Sequence, residues 1–287
     1  MKPILIAPFL GLAFLFSVAA QDNGGPAQPP AQRPELTTAQ REAIEELNEA
    51  VRSYREGDFA EAELHAEKAL ALDPANKTAP LFIARTIHAQ YKPGDFSEEN
   101  VARARDAISA YQRILAQDSR HDEAYKAVAY LYAAIKEDDL LRQWILQRAI
   151  DPTFSDDQRA EAYIVLASKD WDCSYKMTEL PANHTTATTR RRWTTILYIK
   201  PKDLAEFEKA QRCATEGLEM IEAAITLAPM SQDAWTYKKE LLLELAKLSE
   251  MDRDLQLQNE YTNQAHAARQ TAEEIRSRKA ASPVTKP

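Results

Sequence analysis

Residues 44–74 read IEELNEAVRSYREGDFAEAELHAEKALALDP, and their spacing decides the fold. Ile44, Leu47, Ala50, Val51 and Tyr54 recur at the intervals that place side chains along one side of an α-helix. Gly57-Asp58 then interrupts that helix, because glycine enters the left-handed backbone region without steric cost. From Phe59 a second helical pattern, Ala62, Leu64, Ala66, Ala69, Leu70 and Leu72, runs to Asp73-Pro74, where proline bars continuation. The segment predicts two antiparallel helices joined by a tight turn.

These residues resemble the tetratricopeptide repeat. The family's small first-helix residue falls on Ala50, its glycine turn on Gly57, its aromatic on Phe59, its second-helix alanines on Ala62 and Ala69, and its terminal proline on Pro74. Each has a physical reason: small residues let helices approach, the aromatic fills the space between hairpins, and the proline stops the helix before the next unit. A step of 34 residues from Ala50 lands on Ala84 in a predicted helix over 79–91, with Ile83 and Ile87 on its apolar face. Its turn is lengthened over 92–100, and its second helix carries Ala104, Ala107, Ile108, Tyr111, Ile114 and Leu115. A third hairpin places Ala124, Tyr125, Val128, Ala129 and Tyr132 before the glycine-free turn 136–139, then Leu141, Trp144, Ile145 and Ala149 before Pro152. A fourth first helix is predicted over about 158–168, its partner over 204–228, and a fifth pair from Ala234 to about residue 279, whose polar last helix, starting near Asp252, serves as a cap. The resemblance implies an all-α, right-handed superhelical solenoid of about five antiparallel helix pairs with one irregular insertion, residues 170–202.

The ends are read differently. Lys2, an apolar run over 4–16 and Ser17-Val18-Ala19-Ala20 form a signal-peptide pattern, with cleavage expected after Ala20. Its alternative is a retained membrane anchor, against which Pro8 and Gly11 interrupt the run and no basic stop-transfer cluster follows. Residues 21–38 are expected to be a Pro- and Gln-rich linker, 39–279 the repeat domain and 280–287 a tail, in a periplasmic or secreted protein with no stable membrane span after cleavage. A formal net charge of −8 argues against general nucleic-acid binding, which needs clustered positive charge. Cys173 and Cys213 read as one disulfide in an oxidising compartment, or otherwise as two buried thiols.

Catalytic and cofactor signatures do not emerge. No G-x-S-x-G, phosphate loop, H-E-x-x-H or dinucleotide fingerprint is present, and the histidines at 65, 88, 121, 184 and 266 have no metal-ligand spacing. The expectation is a non-catalytic chain without cofactor or metal that holds a protein or peptide. The resemblance places its ligand groove on the first helix of each hairpin, implying contacts from Tyr54, Arg85, His88, Lys126 and Tyr130. The insertion 170–202 adds Arg190, Arg191 and Arg192 for acidic groups and Trp193 as an apolar anchor, or else packs its tryptophans locally. Residues 193–199 are expected as a strand or hairpin with the Met177 region, or as an extended loop. The alternative function is small-ligand or glycan binding by convergent aromatics around Trp171 and Trp193, and an enzymatic reading would need His184 beside Asp170 or Asp172.

Overall fold

A computed structural model describes residues 35–188 and 194–281. The signal segment and most of the linker therefore lie outside the described residues, as do Arg190, Arg191, Arg192 and Trp193. Among the described residues ten α-helices pair as α1 (Thr38–Glu56) with α2 (Phe59–Leu72), α3 (Ala79–Gln90) with α4 (Glu98–Gln117), α5 (Asp122–Ala134) with α6 (Asp138–Ile150), α7 (Asp156–Thr178) with α8 (Leu204–Leu227), and α9 (Gln232–Met251) with α10 (Leu255–Ala281). Each helix packs on its neighbours in sequence, and α7 also packs on α9, so the chain is an all-α solenoid of tetratricopeptide-like hairpins.

Local chemistry sets the boundaries. Thr37 and Gln40 form a reciprocal capping box at α1, and Ser155 and Gln158 another at α7, each satisfying amide donors that the first helical turn leaves open. Asp58, Ser97, Asp203 and Ser231 cap α2, α4, α8 and α9 in the simpler one-way manner. Gly57 closes α1 at φ 85°, as its place in the sequence predicts. In the glycine-free turn after α5, Lys136 takes the same left-handed conformation at φ 61°. The lengthened turn before α4 is held by buried Asn100, whose side chain accepts from the Lys92 amide at 2.9 Å and donates to the carbonyls of Lys92 and Asp95 at 2.9 and 2.6 Å.

Small residues carry the close packing: Ala50, Ala62, Ala66, Ala69, Ala84, Ala104, Ala107 and Ala124 are all fully buried along the first three hairpins. Gly217 has the same role where α8 meets α7 and α9. A Cβ there would sit 2.7 Å from the Leu241 Cδ2 and 2.9 Å from the Asp170 Cβ. Gly217→Ala is expected to lose about 1–3 kcal/mol of stability despite its better helix propensity. A chemical melt of the variant tests this; an unchanged midpoint would show that the contacts of α8 with α7 and α9 yield freely.

Three expectations are corrected. Helix α7 does not end near Ser168 but continues to Thr178, so the insertion loses its first nine residues to regular helix. Asp170, Ser174, Met177 and Thr178 recur at helical intervals and are buried, which makes those turns part of the packed wall. Residues 194–198 do form a strand, β2 (Thr194–Tyr198), but its partner is β1 (His184–Thr188), with His184 opposite Tyr198 and Thr188 opposite Thr194; the Met177 region is helical. The last helix begins at Leu255, because Arg253 turns left-handed at φ 64° and Asp254 accepts from the Leu257 amide at 3.0 Å; it runs through Ala281, two residues into the expected tail.

Candidate partner-binding face

Four of the residues expected in the groove converge. Tyr54 from α1, Arg85 and His88 from α3 and Tyr130 from α5 line one pocket of about 310 Å³, joined by Tyr91, Pro93 and Tyr111. The helical repeat explains this: first helices of successive hairpins lie side by side, so equivalent positions in different repeats face one another. Tyr54 meets Phe59 edge-on at 5.1 Å and Phe82 at 5.7 Å between ring centres, which fixes its place over the α1–α3 seam. His88 lies 5.6 Å from Tyr130 at a tilt of 34°, and 5.9 Å from Tyr111 in a perpendicular arrangement. Tyr54 and Tyr130 stand exposed at the rim, whereas Tyr111 is buried at the base.

The charges around this pocket are matched. Arg85 donates from Nε and Nη2 to the two carboxylate oxygens of Glu123, both at 2.6 Å. That two-pronged geometry is the strongest form of the guanidinium–carboxylate contact, and the hydrogen bond from Arg85 holds the Glu123 carboxyl below its ordinary pKa. Lys126 does not line the pocket; it pairs with Asp122 at 2.7 Å one turn earlier on its own helix. The two cations expected in the groove are thus both engaged within the chain.

Burial holds the His88 imidazole below its usual pKa, and burial likewise raises the Tyr111 phenol. At neutral pH both rings are uncharged. For His88 the sign follows from linkage: the unfolded chain takes up a proton near pH 6.5 while the folded chain still resists it. The stability associated with neutral His88 is therefore present above that pH and declines as pH falls through the lowered value. Denaturant midpoints between pH 7 and pH 5 are expected to fall more steeply for the wild type than for His88→Phe. Parallel pH curves would remove His88 from this account.

The insertion is anchored, not loose. Cys173 on α7 is bonded to Cys213 on α8, 40 residues later, in agreement with the first of the two cysteine readings. Tyr198 donates its hydroxyl to Glu179 at 3.0 Å and its amide to Glu250 on α9 at 3.1 Å. Lys247 reaches Glu179 at 2.7 Å and Glu244 at 2.6 Å, and lies over the rings of Tyr175 and Tyr198. Glu244 is almost fully buried and also accepts from Thr178 Oγ1 at 2.7 Å. Trp171 packs against Tyr175, 4.8 Å away, and Tyr237, 6.4 Å away, which is the local-packing reading of that tryptophan. His184 lies beside Tyr198, whereas Asp170 binds Arg142 and Asp172 binds Lys176, so the enzymatic grouping is not assembled.

Among the described residues no group of three or more His, Cys, Asp or Glu is placed to hold a metal ion, and no helix is long and apolar enough to cross a membrane. No family model and no curated protein matches the sequence. Solved structures do resemble the chain. A crystal structure of MamA protein shares 16% identity, covering 86% of this chain and 98% of that one, with a TM-score of 0.40. PilF of Pseudomonas aeruginosa shares 13% identity over 84% of this chain and 100% of its own, with a TM-score of 0.35. YrrB, described as a TPR protein with an unusual peptide-binding site, shares 12% identity over 77% of this chain and 92% of its own, also at 0.35. At these values the likeness is one of stacked helical hairpins, and the fold is read from the chain's own hairpins.

Sequence reasoning missed Tyr91, Pro93 and Tyr111 as pocket residues. Tyr111 belongs to α4, a second helix, and its apolar spacing marks it as core. Its ring nevertheless reaches the seam because His88, in the preceding helix, packs edge-on against it.

Proposed function

We propose that this chain is an exported, non-catalytic scaffold that holds an extended segment of a partner protein across α1, α3 and α5. The observation that carries the reading is the convergence of Tyr54, Arg85, His88 and Tyr130, drawn from three helices, on one pocket. Aromatic residues at an exposed rim over a buried base are the composition of interface anchors, since they bring large contact area with few rotatable bonds. A stacked repeat presents such a surface already formed, so little ordering is required of it on binding. Export is supported by the signal-like pattern of residues 1–20 and by the paired cysteines, because disulfides persist in oxidising compartments.

The test is a photo-crosslinking amino acid at position 130 in the full chain, expressed in its native host, with position 270 on α10 as control. Adducts are expected from position 130, and Tyr54→Ala should reduce their yield about tenfold, the loss expected of an aromatic anchor. Equal labelling from both positions would place the partner elsewhere, or nowhere.

A further inference from the structure

We infer that the Cys173–Cys213 bond is a thiol–disulfide exchange site, opened by a dithiol that enters the cleft between α6, α7 and α8, with Asp170 as proton donor to the departing sulfur. The chain is the substrate of this step and turns nothing over, so the inference goes beyond the scaffold role and does not rest on it.

The bond is reachable. Cys173 and Cys213 are both only half-buried, and they line a cleft of about 770 Å³ walled by α6, α7 and α8. A disulfide open to solvent can be attacked by a thiolate in the folded state, whereas an enclosed one must wait for unfolding. Lys169 and Lys209 stand one helical turn before Cys173 and Cys213 on their respective helices, exposed in the same cleft and without a counterion among the described residues. Cations near a cysteine favour the thiolate that exchange releases.

Asp170 supplies the proton chemistry. It lies one turn before Cys173 on the same side of α7, lines the same cleft, and leaves its side chain only 7% exposed. Its Oδ1 accepts from Arg142 Nη1 at 2.6 Å, while its buried Oδ2 has no hydrogen-bond partner. Such an orphaned atom is rare in a folded chain and calls for a reason. The local cause is Gly217, one turn beyond Cys213 on α8, where a Cβ would lie 2.9 Å from the Asp170 Cβ. Asp170–Gly217 and Cys173–Cys213 are thus successive rungs between antiparallel helices, and residue 217 offers Oδ2 no side chain. That oxygen is free to carry a proton. Burial raises the Asp170 pKa and Glu216 pushes the same way, against the pull of Arg142. Elsewhere in the cleft Asp138 and Asp139 come from α6 and Glu206 from α8, Asp172 is held by Lys176, and no histidine is present. From α9 the rung receives apolar Leu241.

One thiolate of the dithiol attacks Cys213 Sγ; the sulfur–sulfur bond breaks, and its electron pair leaves on Cys173, which takes the proton from Asp170 Oδ2. The second thiol of the dithiol then gives its proton to the Asp170 carboxylate and displaces Cys213, whose sulfur is protonated by water. The dithiol ends oxidised to its own disulfide, and the chain carries two thiols.

The experiment treats the full chain, without denaturant, with dithiothreitol, quenches with N-ethylmaleimide and follows labelling of Cys173 and Cys213 by mass spectrometry. Both are expected to label at a rate unchanged by urea well below the unfolding transition, because the folded state itself is attacked. Divided by the thiolate fraction of dithiothreitol, the wild-type rate should fall at least tenfold as pH rises through the raised Asp170 value, with Asp170→Asn slow and level throughout. A rate that climbs steeply with urea, or no labelling at all, means that the bond opens only on unfolding and overturns the inference. A wild-type profile already level after the thiolate correction, or an Asp170→Asn chain as fast as the wild type, overturns it too. The urea and pH readouts on the wild type need no variant, so they decide the matter even where Asp170→Asn folds poorly.

Discussion

Lys247→Met is expected to cost about 3–5 kcal/mol, because it strands a carboxylate where α7, α9 and the hairpin meet. Glu244 is 1% exposed, and its contacts in the wild type are the Lys247 ammonium at 2.6 Å and the hydroxyls of Thr178 and Ser174 at 2.7 and 3.4 Å. Methionine preserves the packing of the lysine stem and removes only the charge, so the loss reports the uncompensated Glu244. Adding Glu244→Leu should restore most of the stability, since a buried pair replaced whole by apolar groups is commonly neutral or better. A Lys247→Met chain as stable as the wild type, or a double variant no better than the single one, would sink this account. Burial alone would lower the Lys247 pKa, but Glu244 and Glu179 outweigh it and hold it above the ordinary lysine value. The contribution of the Lys247 charge is therefore fully present just below about pH 10.5 and is lost as pH climbs through the raised value.

Removing the Cys173–Cys213 bridge is the second large effect. A 40-residue separation corresponds to about 4 kcal/mol of loop-closure entropy in the unfolded chain. The double Cys→Ser variant should melt roughly 10 °C lower, at a few degrees per kcal/mol for a chain of this size. In a stacked repeat each unit leans only on its neighbours, so the loss should be local. Hydrogen exchange is expected to accelerate in β1, β2 and the first turns of α8, and to remain unchanged in α1 to α5. Uniform acceleration along the chain would mean that the bridge acts on the whole solenoid.

The legible part of the fold is the part written in local chemistry. Ala50, Gly57, Phe59 and Pro74 act through helix approach, a left-handed turn and a helix stop, each readable from a few neighbours. The hairpins over 79–150 follow from the same rules, and even the glycine-free turn at Lys136 ends its helix where the spacing says it must. Residues 170–178 resisted reading because their inward positions are polar. Asp170 and Thr178 are buried only by virtue of Arg142 and Glu244, 28 residues before and 66 residues after them, and no local pattern announces such partners. The pocket was half legible for a related reason. The resemblance nominated Tyr54, Arg85, His88 and Tyr130, but Arg85 meets its counterion Glu123 across 38 residues, which engages within the chain a cation expected to face the ligand.

The disulfide also sets the covalent topology of the chain. It joins α7 to α8 on either side of the hairpin, so that the entire insertion, from Glu179 to Asp203, lies inside a closed ring of backbone and sulfur. A peptide bond hydrolysed anywhere in that ring leaves one molecule, not two. Such a nicked chain would keep its mass on a gel run without reductant and divide only when the sulfurs are reduced. An exposed hairpin can then be cut by a protease while the helices on both sides stay tied together.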